Sequence, residues 1–326
     1  MNVLERSLSA CRAKQPRIVF PDSLDERVLR AAARLRDEGA ARPILLGNPM
    51  ELRLAAWKAG VSLCGVGCVN HLADETLQAH ACEYVRLHAG GKKPVSEKDA
   101  VAMMRSPLAA GAMLLRLGRA DIGVAGNLSS TADVLRAGLR VVGLSEGGKT
   151  VFGVFVMIAP DGERMFVFAD CAVIPQPEAE QLADIAVGAS AFWQRLTGAE
   201  ARTAMLSFST RGSAGHELAG KVRHAVECVR QRIPDVLVDG ELQLDAALAP
   251  DVAALKAPGS PLEGAANVLV FPGLEAGNIG YKLLQRLGGY TALGPFLVGF
   301  ARGWHDLSRG CSAEDIYEIS LTAAAL

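Results

Sequence analysis

Two periodicities alternate along the chain. Arg17–Pro21 is a short apolar, β-branched run, and after Asp25-Glu26-Arg27 the apolar residues Val28, Leu29, Ala32 and Leu35 recur at helical spacing. A strand therefore leads into an amphipathic helix. Pro43–Gly47 reads as the next strand, and strand-like runs follow at Asp121–Ala125, Arg140–Leu144, Ala204–Ser207, Val236–Val238 and Val268–Phe271, mostly separated by helical patterns. Such alternation predicts an α/β architecture with mainly parallel sheets. The middle breaks the rhythm: Thr150–Ala159 and Arg164–Phe168 are adjacent strand-like runs joined through Pro160-Asp161-Gly162-Glu163, a hairpin signal, and a domain boundary is expected near it. From Thr291 onward the chain again reads strand then helix, as if returning to the first domain, which would place Ser308–Asp315 at a cleft between domains.

Composition narrows the function classes. A chain of 326 residues, 50% hydrophobic, suits two domains with substantial cores. Lys and Arg total 34 against 35 Asp and Glu, so no global field favours nucleic acid or an anionic membrane, and neither is expected as a partner. Met1–Lys14 carries Glu5, Arg6 and Arg12 without a long apolar core, and Arg105 interrupts the apolar run around Met103 to Leu115, so a soluble cytoplasmic protein is expected. An odd seven cysteines without framework spacing suit a reducing compartment. Cys64 and Cys68 form a CxxxC pair with no second Cys or His pair nearby, and no metal site is expected.

Several stretches carry candidate chemistry beside a plainer reading. Gly143–Thr150 matches the letters of a P-loop, yet a P-loop needs a helix after its Lys-Thr pair and Val151–Ile158 is β-branched and aromatic; a glycine-rich turn is the better account. Gly126–Asp133 places Ser129, Ser130 and Thr131 between a strand and a helix carrying Arg136. That is a phosphate cradle or, equally, an ordinary helix cap. Ser207–Ala214 is a polar loop with Arg211, and Leu274–Lys282 is a glycine-containing stretch read as a loop. Arg27 and Arg86 lie on helical patterns whose usual fate is a solvated face, and His216 and His305 read as surface or capping residues. His305–Asp315 gathers Ser308, Arg309 and Asp315 just before a short helix, offering a hydroxyl, a guanidinium and a carboxylate. Spacing alone favours a cap there, because Ser312 precedes Asp315 by three residues as in a capping box.

Taken in order, several motifs resemble the phosphate acetyltransferase family. They are Val19-Phe20-Pro21 with Asp25–Leu29, Ser130–Asp133 with Arg136, Phe168–Val173, Ala204–Thr210, Asp239–Gln243, Lys256–Pro261, Leu274–Lys282 and Asp306–Cys311, and they span nearly the whole chain. Ala125–Thr131, Val173–Pro177 and Leu287–Tyr290 look most like its ethanolamine-utilisation branch. Ser129 and Ala137 stand where the housekeeping pattern usually has His and Pro.

The resemblance implies a fold similar to isocitrate and isopropylmalate dehydrogenases, with domains at 1–147 plus 299–326 and at 148–298, a homodimer, and no cofactor. It implies reversible acetyl transfer between coenzyme A and phosphate through a ternary complex, in ethanolamine catabolism, in the cytoplasm or within a bacterial microcompartment. Asp315 is then the base for the coenzyme A thiol, and Ser308, Arg309 and Arg136 stabilise the reacting acetyl phosphate. Ser129, Ser130 and Thr131 cradle the phosphate, while Arg27 and Arg86 meet coenzyme A. A thiol near ~8.5 and an aspartate near ~3.9 make outright proton transfer uphill, so the proton must leave in concert with attack or the carboxyl must be buried. Alternatives are a phosphate butyryltransferase, a nicotinamide-dependent dehydrogenase of related fold, and a non-catalytic acetyl-CoA-sensing module. Met1–Lys14 is expected to be an ordinary packed helix rather than a targeting segment.

Overall fold

The computed structural model describes residues 3–90 and 94–326, so Met1 and Asn2 of the first segment lie outside the described residues. Two compact units divide the chain: Met1–Glu146 with Phe300–Ala325, and Gly147–Gly299. The first unit begins α1 (Val3–Lys14), β1 (Arg17–Phe20), α2 (Glu26–Asp37), β2 (Arg42–Leu46), α3 (Pro49–Lys58) and β3 (Gly67–Val69). It continues with α4 (Asp74–His88), α5 (Glu97–Met104), α6 (Pro107–Arg116), β4 (Ile122–Ala125) and α7 (Thr131–Ala137). The second unit holds β5 (Phe152–Ile158), β6 (Met165–Ala169), α8 (Ala179–Thr197), β7 (Arg202–Leu206), α9 (Glu217–Arg232) and β8 (Leu237–Leu242). It closes with α10 (Leu244–Leu248), α11 (Pro250–Lys256), β9 (Val268–Val270), α12 (Leu274–Gly288) and β10 (Thr291–Val298) before β11 (Gly303–Asp306) and α13 (Ala313–Ala325) rejoin the first unit.

In the first unit five parallel strands run in the order β11-β4-β1-β2-β3. The chain leaves β1 toward β2 on one side while β4 pairs on the other, so the loops after β1 and β4 diverge at a topological switch point, where open parallel sheets bind ligands. Helix α6 explains much of the core: Pro107 starts it, and every residue from Leu108 to Leu115 is buried. Trp304 of β11 is fully buried and paired in register with Gly123 of β4, where a Cβ would stand 2.5 Å from the indole. Burying an aromatic of that size contributes roughly 4–6 kcal/mol. Its Nε1 donates to Val134 O at 2.9 Å, which fixes α7 against the strand.

The second unit is a mixed six-stranded sheet, β10-β5-β6-β9-β7-β8. Its first two pairings are antiparallel and the rest parallel, so the hairpin expected across Pro160–Glu163 is present. The run expected as a strand at Arg140–Leu144 is not one. Gly138–Val142 instead continues α7 as a wider π-helical turn, with Gly143 N–H donating to Gly138 O at 2.9 Å. A Cβ on Gly138 would lie 2.6 Å from Phe300, so the bare backbone packs on that ring while Val141 and Val142 are buried. Leu274–Lys282, expected as a loop, forms the first turns of α12. The P-loop letters of Gly143–Thr150 lead into β5 and not into a helix. His305, expected at the surface, is buried on β11, where burial holds its imidazole down at about 4 and therefore neutral. His216 caps α9, accepting from Leu218 N at 3.2 Å.

Candidate active site

Three loops leave the C-terminal ends of adjacent strands β1, β4 and β11, and a set of aspartates knits them together. Asp22, just past β1, receives the backbone N–H groups of Gly126 at 3.0 Å and of Leu128 and Ser129 at 3.3 Å each, plus the Ser129 hydroxyl at 2.8 Å. The loop after β4 is thus wrapped around one carboxylate. Gly126 is forced to be glycine twice over: its φ is +104°, and a Cβ would sit 2.1 Å from Asp306 Oδ1. Thr131 opens α7 and donates its hydroxyl to Asp306 Oδ2 at 2.6 Å. Burial pushes the Asp306 carboxyl up to about 6, against the pull of the Thr131 hydrogen bond. Its Oδ1 is buried without a hydrogen-bond partner among the described residues.

Arg27 is the second knot. Its Nε and Nη2 grip the Asp25 carboxylate, Nη1 donates to Arg309 O at 2.9 Å and Cys311 O at 2.6 Å, and Nη2 also donates to Asn127 O at 3.1 Å. Those bonds consume all of the donors a guanidinium has. Asp25 also caps α2 and accepts from Asn127 Nδ2 at 3.0 Å. Burial raises the Asp25 carboxyl, but the hydrogen bonds from Arg27 and Asn127 together hold it below its ordinary value. Arg27, expected as a contact for coenzyme A, is therefore an internal tie among three loops with no N–H left for a phosphate. Arg86, expected for the same role, lies on α4 with its side chain 82% exposed and paired with Glu83 at 3.3 Å.

The hydroxyls expected as a phosphate cradle are already engaged. Ser129 serves Asp22, Ser130 caps α7 and donates to Asp133 at 2.7 Å, and Thr131 serves Asp306. Beside them, however, lies a cavity of about 300 Å³ lined by Asp22, Ser129, Asp133, Arg136, Ser106 and the first turn of α6. That helix has no side-chain cap among the described residues, and its first turn and Arg136 line the same space. Arg136 is half exposed and paired with Asp133. Hydrogen bonds from Ser130 and Arg136 hold the Asp133 carboxyl below its ordinary value. An uncapped helix start with an arginine suits a phosphate-sized anion.

The loop after β11 carries the remaining candidates. Ser308 and Arg309 are exposed, and Ser308 Oγ accepts from Gly310 N at 3.3 Å. Asp315 is exposed in the first turn of α13, and its Oδ2 accepts from both the backbone N–H and the hydroxyl of Ser312, at 2.7 and 2.8 Å. Asp315 N–H returns a bond to Ser312 Oγ at 3.1 Å. The capping box that the Ser312–Asp315 spacing favours is therefore present, complete through one carboxylate oxygen. Burial pushes the neighbouring Cys311 thiol up to about 11, so it offers no ready thiolate.

The comparisons with known proteins bear on what this arrangement serves. The family model described as phosphate acetyl/butaryl transferase matches residues 2–324. The chain belongs to that family. It is 43% identical over 328 residues to the phosphate acetyltransferase of Thermoanaerobacterium thermosaccharolyticum, covering 99% of each sequence. It is also similar to the EutD phosphotransacetylase structure from Staphylococcus aureus, with a TM-score of 0.91 at 38% identity over 99% of this chain and 97% of that one. A 4-hydroxythreonine-4-phosphate dehydrogenase from Klebsiella pneumoniae, 14% identical with a TM-score of 0.57 over 95% of this chain and 99% of the other, shares the fold alone. Family membership makes the chain an acyl-group transferase. Asp22 was invisible in the sequence, because it belongs to no local pattern that distinguishes it from any other strand-end aspartate, and Asp306, though it opens the Asp306–Cys311 motif, carried no assigned role.

Proposed function

We propose that this family member transfers an acetyl group reversibly between coenzyme A and phosphate, and that the switch-point loops of the first unit are its active site. The observation that carries the reading is the cavity where Arg136 and the uncapped start of α6 converge, tied through Asn127 and Arg27 to the loop bearing Ser308 and Arg309. In this reading the phosphoryl end of acetyl phosphate occupies that cavity. As the thiol sulfur forms its bond to the carbonyl carbon, its proton passes to Asp315 in concert, because bond formation draws electrons from the sulfur and makes its proton far more acidic. Ser308 and Arg309 stabilise the developing oxyanion; the carbon–oxygen bond to phosphate then breaks, and Arg136 retains the departing anion. No acyl-enzyme forms. Of the residues expected at coenzyme A, Arg86 remains available for its phosphates, while Arg27 positions the loops. Ser129 lines the cavity, and the Ser129, Ser130 and Thr131 hydroxyls meet the substrate only by exchanging their carboxylate partners.

Supporting the finer reading, the EutD similarity and the sequence motifs of the ethanolamine-utilisation branch favour a role in ethanolamine catabolism. We take the enzyme to be a homodimer that acts in the cytoplasm or within a microcompartment; among the described residues no helix is long and apolar enough to cross a membrane. Val3–Lys14 is a helix packed on α13, with Cys11 Sγ donating to Leu321 O at 3.3 Å, which supports reading it as a structural helix. Mixing the pure protein with acetyl phosphate and coenzyme A and following thioester absorbance tests the reaction. Thioester should accumulate without added cofactor, and faster with acetyl than with butyryl phosphate. Absence of thioester with either would overturn the proposal, and a preference for butyryl phosphate would replace the acetyl assignment.

A further inference from the structure

We propose that Glu180, His224 and Cys228 of the second unit form a binding site for a divalent transition metal ion of zinc's class, joining the start of α8 to α9. His224 and Cys228 are one turn apart on α9 and so share a face, and α8 packs along that helix to bring Glu180 to the same point. Cys228 Sγ lies 3.3 Å from Glu180 Oε1 and 3.8 Å from His224 Nε2, and the three candidate ligand atoms all fall within 4.8 Å of one another. A tetrahedral ion with bonds of about 2.0–2.3 Å holds neighbouring ligand atoms roughly 3.3–3.7 Å apart, so small side-chain adjustments close the site. The donor set selects the ion. One carboxylate, one imidazole and one thiolate suit zinc or cobalt, whereas magnesium and calcium demand oxygen ligands.

The surrounding residues orient each ligand. Glu227 stands 3.6 Å from His224 Nδ1, so that ring nitrogen has a carboxylate behind it while Nε2 points to the sulfur, an arrangement that strengthens a metal-binding imidazole. Arg232 engages the other oxygen of Glu180 and also Asp184 Oδ1, at 2.6 Å, which fixes the carboxylate while Asp184 offsets the added positive charge. Cys228 is buried, whereas Glu180 and His224 are exposed, so solvent can reach the ion and supply a fourth ligand. On binding, the thiol proton that Cys228 now shares with Glu180 is released to solvent and a metal–sulfur bond replaces it. One thiolate and one carboxylate then balance the two positive charges. The sequence concealed the site because Glu180 lies far along the chain from the His-x-x-x-Cys pair.

The test uses the full-length protein, treated with chelator and carrying Cys64→Ser, Cys68→Ser and Cys82→Ser, since those exposed cysteines would add thiolate signals of their own. Titration with cobalt(II) should bind one equivalent, with tetrahedral visible bands and a thiolate charge-transfer band in the near ultraviolet, all displaced by zinc(II). Cys228→Ser should abolish the charge-transfer band. His224→Ala, an exposed change, should weaken cobalt binding at least about 100-fold, and Glu227→Gln about 10- to 100-fold through the orientation of the ring. Zinc should raise the thermal unfolding midpoint of the parent and leave that of His224→Ala unmoved. An octahedral cobalt spectrum in the parent, or binding undiminished by His224→Ala, would overturn the proposal even if Cys228→Ser failed to fold.

Discussion

A buried aspartate stands at the C-terminal end of a strand in each unit, Asp170 after β6 and Asp306 closing β11, and the surroundings of the two differ. Asp170 collects four backbone N–H groups, from Gly153, Ala172, Val173 and Ile174, at 2.6–3.1 Å, using both oxygens. Burial pushes its carboxyl up while those bonds pull it back. Asp306 has one hydroxyl partner on Oδ2, and its buried Oδ1 is unmatched among the described residues. The first arrangement closes a loop against the core. The second leaves an unsatisfied acceptor beside the loops that carry the candidate chemistry, which is where incomplete satisfaction has functional meaning.

If that contrast is right, the largest stability effect belongs to Asp170. Asp170→Ala strands four N–H groups and should destabilise the second unit by at least roughly 3 kcal/mol, read from chemical denaturation, whereas Asp306→Ala should cost visibly less. Asp306 should instead reveal itself through pH. Its carboxyl is raised to about 6 from an unfolded value near ~3.9, so the native state binds the proton more tightly. Its stabilising contribution is full below about pH 4 and lost as pH rises through 6, a span of up to roughly 3 kcal/mol. Unfolding free energies measured across that window should show the extra fall in wild type and lack it in Asp306→Asn.

Smaller effects refine the open side of the comparison. Arg136→Gln should lower kcat/KM for acetyl phosphate about 10- to 100-fold while leaving the denaturation midpoint nearly unchanged, because its only ion pair among the described residues is an exposed one with Asp133. A loss of stability without a loss of turnover would return Arg136 to a structural role. Ser312→Ala should cost about 1 kcal/mol of stability through the lost cap on α13 and change turnover only a few-fold.

The parallel α/β frame was legible because β1 with α2 shows both periodicities cleanly, and the hairpin of β5 and β6 announced itself through Pro160–Glu163. Reading failed where glycine was bound to tertiary packing. Gly138 lies against Phe300, turning Arg140–Val142 away from a strand despite its β-branched residues. Gly277 lies in a helix and not in a loop, but the close backbone approach expected of its stretch is present: a Cβ there would sit 2.2 Å from Asp170 O, so the approach of α12 to that carbonyl requires glycine. At the site, the ordered motifs identified Arg136, Ser308, Arg309 and Asp315 as candidates. They could not distinguish a guanidinium with free donors from one already spent, and the Arg27 hydrogen bonds make that distinction.

Asp315 carries the central claim, since it caps a helix through Oδ2 and is assigned to accept a proton. Thioester formation by Asp315→Asn, measured beside Ser312→Ala under saturating acetyl phosphate and coenzyme A, separates the two roles. The account predicts that kcat falls about 100- to 1000-fold in Asp315→Asn while Ser312→Ala stays within a few-fold of wild type. Equal, modest losses in both variants would show that Asp315 is only a helix cap and that the proton leaves by another route.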